Sequence, residues 1–368
     1  MPDFKRCVTL AKLLLFVSLI LVSCGPPATS APLAHPSATP APLAQPSATP
    51  APAIQPTSEA ALSEQEIATL NSLEKVDDFP LYTMHYYGST KPASSRLAVP
   101  RESTAAQQPA WACSLFAALG GDSKFYGRNF DWVDSPALLL FTHPTNGYAS
   151  VSMVDLAYLG FGDKVTQLTE LSLDQRQALL NAPALPFDGM NERGLVVGMA
   201  AVPDGKARPD PGKETVDSLQ VICKMLDQAG TVDEAVAVLQ QVNIEWGSGP
   251  APHYLIADRS GRSVLVEFYQ GKMHIISNDK PWHLATNFLI SSAGESATGH
   301  CPRYDTIDQR LSIAAGRLDA EEALRLLQDV SQSNTQWSIV YGLSTGKVIV
   351  TMGRKYSRTH TFQIDLMD

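Results

Sequence analysis

The chain has 368 residues, of which 44% are hydrophobic and 18% are charged, and its formal net charge is −9. Such a composition supplies enough apolar side chains for a sizeable buried core. The acidic balance disfavours nucleic-acid binding, because a partner that carries many phosphates is held by an excess of lysine and arginine.

The N-terminus has the features of a bacterial export signal. Lysine and arginine residues precede an apolar run over residues 13–21, which is too short to cross a bilayer core of about 30 Å. The run ends in Leu-Val-Ser-Cys, and small residues before a cysteine at this distance resemble a lipobox. We therefore expect residues 1–23 to be a lipoprotein signal peptide and Cys24 to carry the lipid, in an exported protein anchored in the cell envelope. An ordinary signal peptide with an incidental cysteine is the alternative.

Residues 24–60 have the composition of a tether. The decapeptide APLAHPSATP at residues 31–40 returns as APLAQPSATP at residues 41–50. A stretch of proline, alanine, serine and threonine has too few large apolar side chains to order a core. As an extended polyproline-like chain, at about 3.1 Å per residue, it would hold a domain up to roughly 100 Å from a membrane.

The folded part is expected to begin near residue 61. Ser63 and Glu66 have the spacing of a capping box, and Ile67, Leu70 and Leu73 follow at helical spacing. The remaining chain contains no second linker and no internal repeat. We therefore expect one folded unit after the tether.

The elements after this first helix indicate a mixed α+β protein. Apolar patterns predict strands over residues 81–87, 113–119, 125–132, 195–202, 254–257, 264–269, 339–341, 348–352 and 361–364. Helical periodicity predicts helices over residues 173–181, 215–229, 231–242, 304–314 and 319–330. Turn sequences at residues 120–122 and 258–261 join neighbouring strands directly, so the sheets are expected to be mainly antiparallel.

Several common sites are not supported by the sequence. The eight histidines are scattered, and no Cys-x2-Cys spacing occurs, so neither a metal nor another cofactor is expected. The Gly-x-Gly at residues 160–162 lacks the third glycine of a dinucleotide-binding turn. The Gly-x-Ser-x-Gly at residues 342–346 is followed by a strand-like run where a nucleophile elbow requires a helix. It is therefore predicted to be a hairpin turn.

Three cysteines remain after the signal peptide and the lipidation site are set aside. They are Cys113, Cys223 and Cys301, an odd number, so at most one pair forms a disulfide. A bridge between Cys223 and Cys301 and a buried, unbridged Cys223 are both compatible with the sequence. Cys113 is the candidate free thiol.

The surroundings of Cys113 carry charges that bear on its reactivity. It opens an apolar strand, and after a glycine-rich turn the sequence Gly-Arg-Asn-Phe-Asp-Trp at residues 127–132 returns on the partner strand. The hairpin is expected to bring Arg128 and Asp131 near the thiol, where a cation lowers the thiol pKa and a carboxylate holds an ammonium. A surface ion pair beside a buried cysteine is the alternative.

Cys113 and the residues 127–132 together resemble the linear amide C–N hydrolases, or choloylglycine hydrolase family, of the N-terminal nucleophile (Ntn) hydrolases. This group includes penicillin V acylases, acid ceramidase-like amidases and isopenicillin N acyltransferases. Further matches follow in chain order at residues 187–195, 253–258, 286–287 and 303–304. The resemblance covers residues 80–365 and implies an αββα sandwich, with residues 61–112 packed as an N-terminal segment on a catalytic domain of residues 113–368.

The resemblance also implies roles for five residues. Cys113 would be the nucleophile, exposed by autocatalytic cleavage of the bond before it. Arg128 would favour the thiolate and Asp131 would orient the new α-amine. That amine has a reference pKa of about 7.7 to 8.0 and would act as the base, so no histidine is needed for this task. Asn287 would donate to the oxyanion and Arg303 would be a further cation. The alternatives are that Asn287 only caps a turn and that Arg303 only begins a helix.

The implied function is hydrolysis of small-molecule N-acyl amides through an acyl-cysteine intermediate. Ala201 stands where some bile-salt hydrolases have asparagine and some penicillin acylases have tyrosine. This difference argues against bile-salt specificity. The short step from Asn287 to Arg303 and the folded-looking segment before Cys113 resemble the acid ceramidase-like and acyltransferase members, which implies N-acyl amides with a fatty or aromatic acyl group. An acyltransferase and a catalytically idle binding lipoprotein are the alternatives, and the sequence makes no prediction about the oligomeric state.

Overall fold

A computed structural model describes residues 62–88, 112–162, 167–247 and 249–367. These described residues form one compact unit. The predicted signal peptide, Cys24 and the tether lie outside the described residues, and so does residue Trp111 with the segment before it. Within the described ranges, no helix is long and apolar enough to cross a membrane.

The described chain contains seventeen strands, six α-helices and four short 3-10 helices. The strands are β1 (Glu74–Asp77), β2 (Leu81–Tyr86), β3 (Ala112–Ala118), β4 (Phe125–Asp131), β5 (Ala137–Thr142), β6 (Ser150–Asp155), β7 (Asp188–Asn191), β8 (Val196–Val202), β9 (Glu214–Asp217), β10 (Val242–Glu245), β11 (Ala251–Ala257), β12 (Ser263–Tyr269), β13 (Lys272–Ser277), β14 (Trp282–Ala285), β15 (Thr335–Gly342), β16 (Lys347–Met352) and β17 (His360–Gln363). The helices are α1 (Glu64–Asn71), α2 (Leu173–Arg176), α3 (Gln220–Gln228), α4 (Val232–Gln241), α5 (Pro302–Ile313) and α6 (Ala320–Asp329). The 3-10 helices are Leu156–Leu159, Leu168–Glu170, Gln177–Ala184 and Ile290–Ser292.

Two large sheets form the centre of the molecule. The larger has nine strands in the order β1-β2-β5-β6-β7-β8-β11-β12-β13, and the smaller has six in the order β14-β3-β4-β15-β16-β17. Every neighbouring pair in the two sheets is antiparallel except β2 with β5. Strands β9 and β10 form a separate parallel pair.

The sheets and helices are stacked in four layers. Strand β3 of the smaller sheet contacts β8 and β11 of the larger one, so the two sheets face each other across the main hydrophobic core. Helix α3 packs on the outer face of the larger sheet, and α5 and α6 pack on the outer face of the smaller one over a second apolar cluster. This is the αββα sandwich that the family resemblance implies.

Local sequence signals explain several element boundaries. The capping box of Ser63 and Glu66 opens α1, and that of Thr231 and Glu234 opens α4. The predicted helix over residues 215–229 is wrong in its first turn, because Glu214–Asp217 forms β9 and the helix begins only at Gln220.

The three described cysteines have free thiols, so Cys223 and Cys301 are not bridged.

The first two strands are integral to the larger sheet. Leu81, Tyr82 and Met84 of β2 are fully buried between β1 and β5. The buried carboxylate of Asp77 bonds Arg358, and its Oδ2 lies 2.7 Å from Nε2 of His360. Strands that precede Cys113 are thus held both by sheet pairing and by ionic contacts to the C-terminal part of the chain.

Candidate active site

The hairpin of β3 and β4 determines what surrounds Cys113. The register places Cys113 opposite Phe130 and Leu115 opposite Arg128. Because side chains alternate across a strand, Cys113, Phe130 and Arg128 lie on the same face of the smaller sheet. The guanidinium Nη2 of Arg128 is 3.9 Å from the Cys113 Sγ. The cation that the sequence predicts beside the thiol is therefore in contact with it.

Arg128 is fully buried and is held by a second buried charge. Its Nη1 bonds the Asp188 carboxylate, and its Nη2 donates to the Met199 carbonyl at 3.1 Å. The Tyr341 hydroxyl donates to the other Asp188 oxygen at 2.5 Å, and the guanidinium lies 4.9 Å from the centre of the Phe130 ring. Asp188 was missed as a site residue, although it lies within the matching motif at residues 187–195.

The surroundings of Cys113 do not activate its thiol in this structure. Burial raises its pKa, and this effect outweighs Arg128 and Arg303, which lower it, while Asp131 raises it further. The Cys113 side chain is only 6% exposed. Formation of a thiolate in this chain therefore needs a nearby base or a change in the charges around the sulfur.

Asp131 is a buried carboxylate with one unused oxygen. Oδ1 accepts a hydrogen bond from the Thr335 hydroxyl at 2.5 Å, whereas Oδ2 has no hydrogen bond among the described residues. The nearest cation to Oδ2 is Arg303, whose Nη1 lies 4.0 Å away. Oδ2 of Asp131 is therefore available as a hydrogen-bond acceptor in the site.

Asn287 and Arg303 contact the backbone of Cys113. The Cys113 N–H donates to Asn287 Oδ1 at 2.6 Å, and Asn287 Nδ2 donates to the Ala201 carbonyl at 2.9 Å. Arg303 donates to Asn287 Oδ1 and to the Ser114 hydroxyl, each at 2.9 Å, and also to the Cys113 carbonyl. One hydrogen of the Asn287 amide remains for a further acceptor.

The structure thus brings all five predicted site residues together. Arg128 lies against the sulfur of Cys113, Asn287 and Arg303 hold its backbone, and Asp131 lies beside Arg303. The sixth predicted residue, Cys24, is outside the described residues. No metal-binding group of three histidine, cysteine, aspartate or glutamate residues occurs within the described ranges.

Asp131 is expected to make stability depend on pH. Burial raises its pKa to about 6 from the ordinary 3.8, so the folded chain favours the protonated carboxyl. Its contribution to stability is complete below about pH 4 and is lost as the pH rises to about 6, a change of about 3 kcal/mol. Asp131→Asn cannot ionise and should not undergo this loss.

Urea unfolding at pH 4.5 and pH 7.5 measures this effect in two uncut proteins, Cys113→Ala and Cys113→Ala with Asp131→Asn. The protein with Asp131→Asn should gain stability relative to the other at the higher pH. Other buried carboxyls, such as Asp155 with its pKa raised to about 6 by burial, are the same in both proteins and cancel in the comparison. An equal difference at both pH values would contradict the prediction.

Comparison with known proteins gives the same family as the motifs. The family model of the linear amide C-N hydrolases, choloylglycine hydrolase family, matches residues 114–287. A penicillin V acylase of Pectobacterium atrosepticum is 28% identical over 190 residues, which are 48% of this chain and 49% of that protein. The chain thus matches about half the length of this curated relative.

Solved structures are similar in fold. A mutant of the conjugated bile acid hydrolase from Clostridium perfringens has a TM-score of 0.50 and 17% identity, covering 69% of this chain and 92% of that one. A penicillin V acylase from Agrobacterium tumefaciens has a TM-score of 0.48 and 17% identity, covering 69% and 86%. The first similarity, together with the layers described above, confirms the predicted αββα sandwich. Residues 114–287 of this chain are thus similar to the linear amide C–N hydrolases, choloylglycine hydrolase family.

Proposed function

We propose that this protein hydrolyses the C–N bond of small N-acyl amides and that Cys113 is the nucleophile. The observation that carries the proposal is the set of contacts at Cys113. Its sulfur contacts the guanidinium of Arg128, and its backbone N–H donates a hydrogen bond to Asn287 Oδ1. Cys113 thereby places in one site a sulfur that can act as nucleophile and a backbone nitrogen that would become an α-amine after cleavage before Cys113. The family match and the penicillin V acylase relative support an amide as the substrate.

The first step is cleavage of the chain before Cys113. The sulfur attacks the Ala112 carbonyl carbon, the Ala112–Cys113 C–N bond breaks, and the nitrogen takes the thiol proton and becomes a free amine. Water then hydrolyses the Ala112 thioester and restores the thiol. The products are a chain that ends at Ala112 and a catalytic chain of residues 113–368.

The new α-amine completes the catalytic group. It lies where Asn287 Oδ1 now accepts the Cys113 N–H, and the unused oxygen of Asp131 is available to an ammonium in the same cluster. The amine takes the thiol proton, the thiolate attacks the substrate carbonyl, and the ammonium returns the proton to the leaving amine. The remaining Asn287 amide hydrogen stabilises the oxyanion, and water releases the acyl group from Cys113.

We also propose that the enzyme works at a membrane. The sequence of residues 1–23 supports export, Cys24 supports lipidation, and the repeats of residues 24–60 support a tether. The mature protein would then be a lipoprotein of the cell envelope whose catalytic chain is held at a distance from the bilayer.

The segment before Cys113 is expected to stay bound after cleavage. Strands β1 and β2 complete the larger sheet, and Asp77 bonds Arg358 and His360 of the catalytic chain. The two chains should therefore elute together in gel filtration and separate only on denaturing gels. Asp77→Ala should favour dissociation, whereas Asp78→Ala removes a carboxylate that is 86% exposed and should not. Separate elution of the wild-type chains would contradict the prediction.

Amine release from a panel of N-acyl amides tests the function. The panel should contain fatty and aromatic N-acyl amino acids, a phenoxyacetyl amide and a conjugated bile acid, each assayed with and without a second amine as acceptor. Hydrolysis of at least one member supports the proposal. Acyl products that form only with the added amine would identify an acyltransferase, and no reaction with any member in a cleaved protein would contradict the proposal.

A further inference from the structure

A buried histidine–glutamate pair lies behind Asn287. His253 belongs to β11 and Glu267 to β12, and both are completely inaccessible to solvent. His253 Nδ1 is 3.4 Å from Glu267 Oε1. Neither residue touches Cys113 in the contacts described above, so the mechanism has not used them.

Glu267 holds the backbone that follows Asn287. Its Oε1 accepts the N–H of Ile290 and its Oε2 accepts the N–H of Ser291, each at 2.8 Å. Burial alone would raise the carboxyl pKa, but hydrogen bonds from His253 and Ser291 lower it below the ordinary value. An ionised carboxylate is the form that accepts from both backbone donors at once.

His253 holds the backbone that precedes Asn287. Its Nε2 is 2.7 Å from the carbonyl oxygen of Thr286. Because a carbonyl only accepts hydrogen bonds, Nε2 carries a proton. Nδ1 faces the Glu267 carboxylate, so the two ring nitrogens connect the carboxylate to the residue adjacent to Asn287.

These contacts join the two sheets at the site. Thr286 follows β14 of the smaller sheet, whereas β11 and β12 belong to the larger one. The segment of residues 286–291 is therefore bound on both sides of Asn287 by one pair from the opposite sheet. The Asn287 side chain is in turn placed between Cys113 and the Ala201 carbonyl.

We infer that His253 and Glu267 are positioning residues that set the place of the Asn287 amide relative to Cys113. The inference rests on the proposed function, because it assigns the pair an effect on turnover. A misplacement of about 1 Å in such a group costs on the order of 100-fold in rate. The pair acts on the reaction only through the backbone of residues 286–291.

Two conservative variants separate this role from general stability. Glu267→Gln keeps the size of the side chain but presents an amide nitrogen to one of the two backbone donors, which are then no longer both satisfied. His253→Gln keeps a possible donor to Thr286 and removes the ring nitrogen that faces Glu267. Both leave Cys113 and Asn287 unchanged.

Asp258→Asn is the matched control. Asp258 is also a buried carboxylate that accepts backbone hydrogen bonds, from Val232 and Ser260 at 2.9 Å each. It directly follows β11 and is five residues beyond His253, which is on the order of 17 Å along an extended chain. It therefore reproduces the chemical change at a distance from Asn287.

Rates per cleaved chain and hydrogen exchange of residues 286–291 decide the inference. Glu267→Gln and His253→Gln should lower kcat roughly 10- to 100-fold with KM unchanged. Amides of residues 286–291 should exchange faster in both variants, while Asp258→Asn should keep the wild-type kcat and the wild-type exchange of this segment.

Wild-type kcat in both variants, or an equal loss in Asp258→Asn, would overturn the inference. Unchanged exchange of residues 286–291 in both variants would also overturn it, whatever the activity. If the wild-type protein cleaves no amide in the panel, the proposed function fails, and hydrogen exchange alone decides whether the pair holds the segment.

Discussion

Cys113→Ala is expected to yield one uncut chain without amide hydrolysis. In the proposed mechanism, the Cys113 sulfur attacks the Ala112 carbonyl and later carries the acyl group, and the substitution removes this atom. The loss of activity should be on the order of 10⁴-fold or more, as for other enzymes that lose their nucleophile. Because alanine fills most of this small buried site, the fold should remain. Cys113→Ser should cleave slowly, since a hydroxyl can attempt the same attack.

Cys223→Ala provides the matched control for a thiol outside the site. Its Sγ lies 3.8 Å from Asp227, and burial raises the pKa of the Cys223 thiol, which disfavours the reactive thiolate. This variant should be cut and should turn over at the wild-type rate. Denaturing gels and amine release measure both outcomes, and full activity in Cys113→Ala would refute the assignment of the nucleophile.

Asp188→Asn is expected to cause the largest loss of stability among the site variants. The change leaves the fully buried Arg128 without its counter-charge. Removing one partner of a buried ion pair costs about 3 to 5 kcal/mol, because the remaining charge stays in an apolar environment. The free energy of unfolding should fall by that amount in urea titrations made in the uncut Cys113→Ala background.

Asp233→Asn tests the same chemistry on the surface. Its partner Arg262 is 2.6 Å away, but the two side chains are 69% and 52% exposed. Exposed pairs contribute at most about 1 kcal/mol, since water already solvates both charges. If Asp188→Asn were no more destabilising than Asp233→Asn, the pair of Arg128 and Asp188 would not be held as the structure indicates.

The sequence predicts those elements whose signals are local. The glycine-rich turn after β3 and the return of residues 127–132 predict the hairpin that places Arg128 on Cys113. The hairpin turn at residues 342–346 is likewise confirmed between β15 and β16, in place of a nucleophile elbow. Capping boxes fix the starts of α1 and α4 because their hydrogen bonds join residues only three positions apart.

Elements that depend on distant partners were missed. Strand β5 lies inside the larger sheet, and its continuous apolar run shows no alternation of polar and apolar residues. Strand β13 is an exposed edge strand of the same sheet, with only a weak alternation of apolar residues. Strand β9 was predicted as the first turn of a helix, because its pairing with β10 spans residues far apart in the chain.

The same limit applies to the site. The hydrogen bond from Cys113 to Asn287 joins residues 174 positions apart, so only the resemblance to a family suggested that they meet. Asp188 reaches Arg128 across 60 positions, and nothing in its local sequence indicates a buried cation. The role of the Ala201 backbone carbonyl is invisible to a search for polar side chains.

The most direct test of the central claim is the intact mass of the protein, quenched in acid during turnover of a slowly hydrolysed amide. The account predicts a chain of residues 113–368 whose mass is increased by one acyl group, with the acyl group on Cys113 in peptide maps. A chain that still contains Ala112 joined to Cys113 and yet hydrolyses the amide, or an acyl group on another residue, would contradict it.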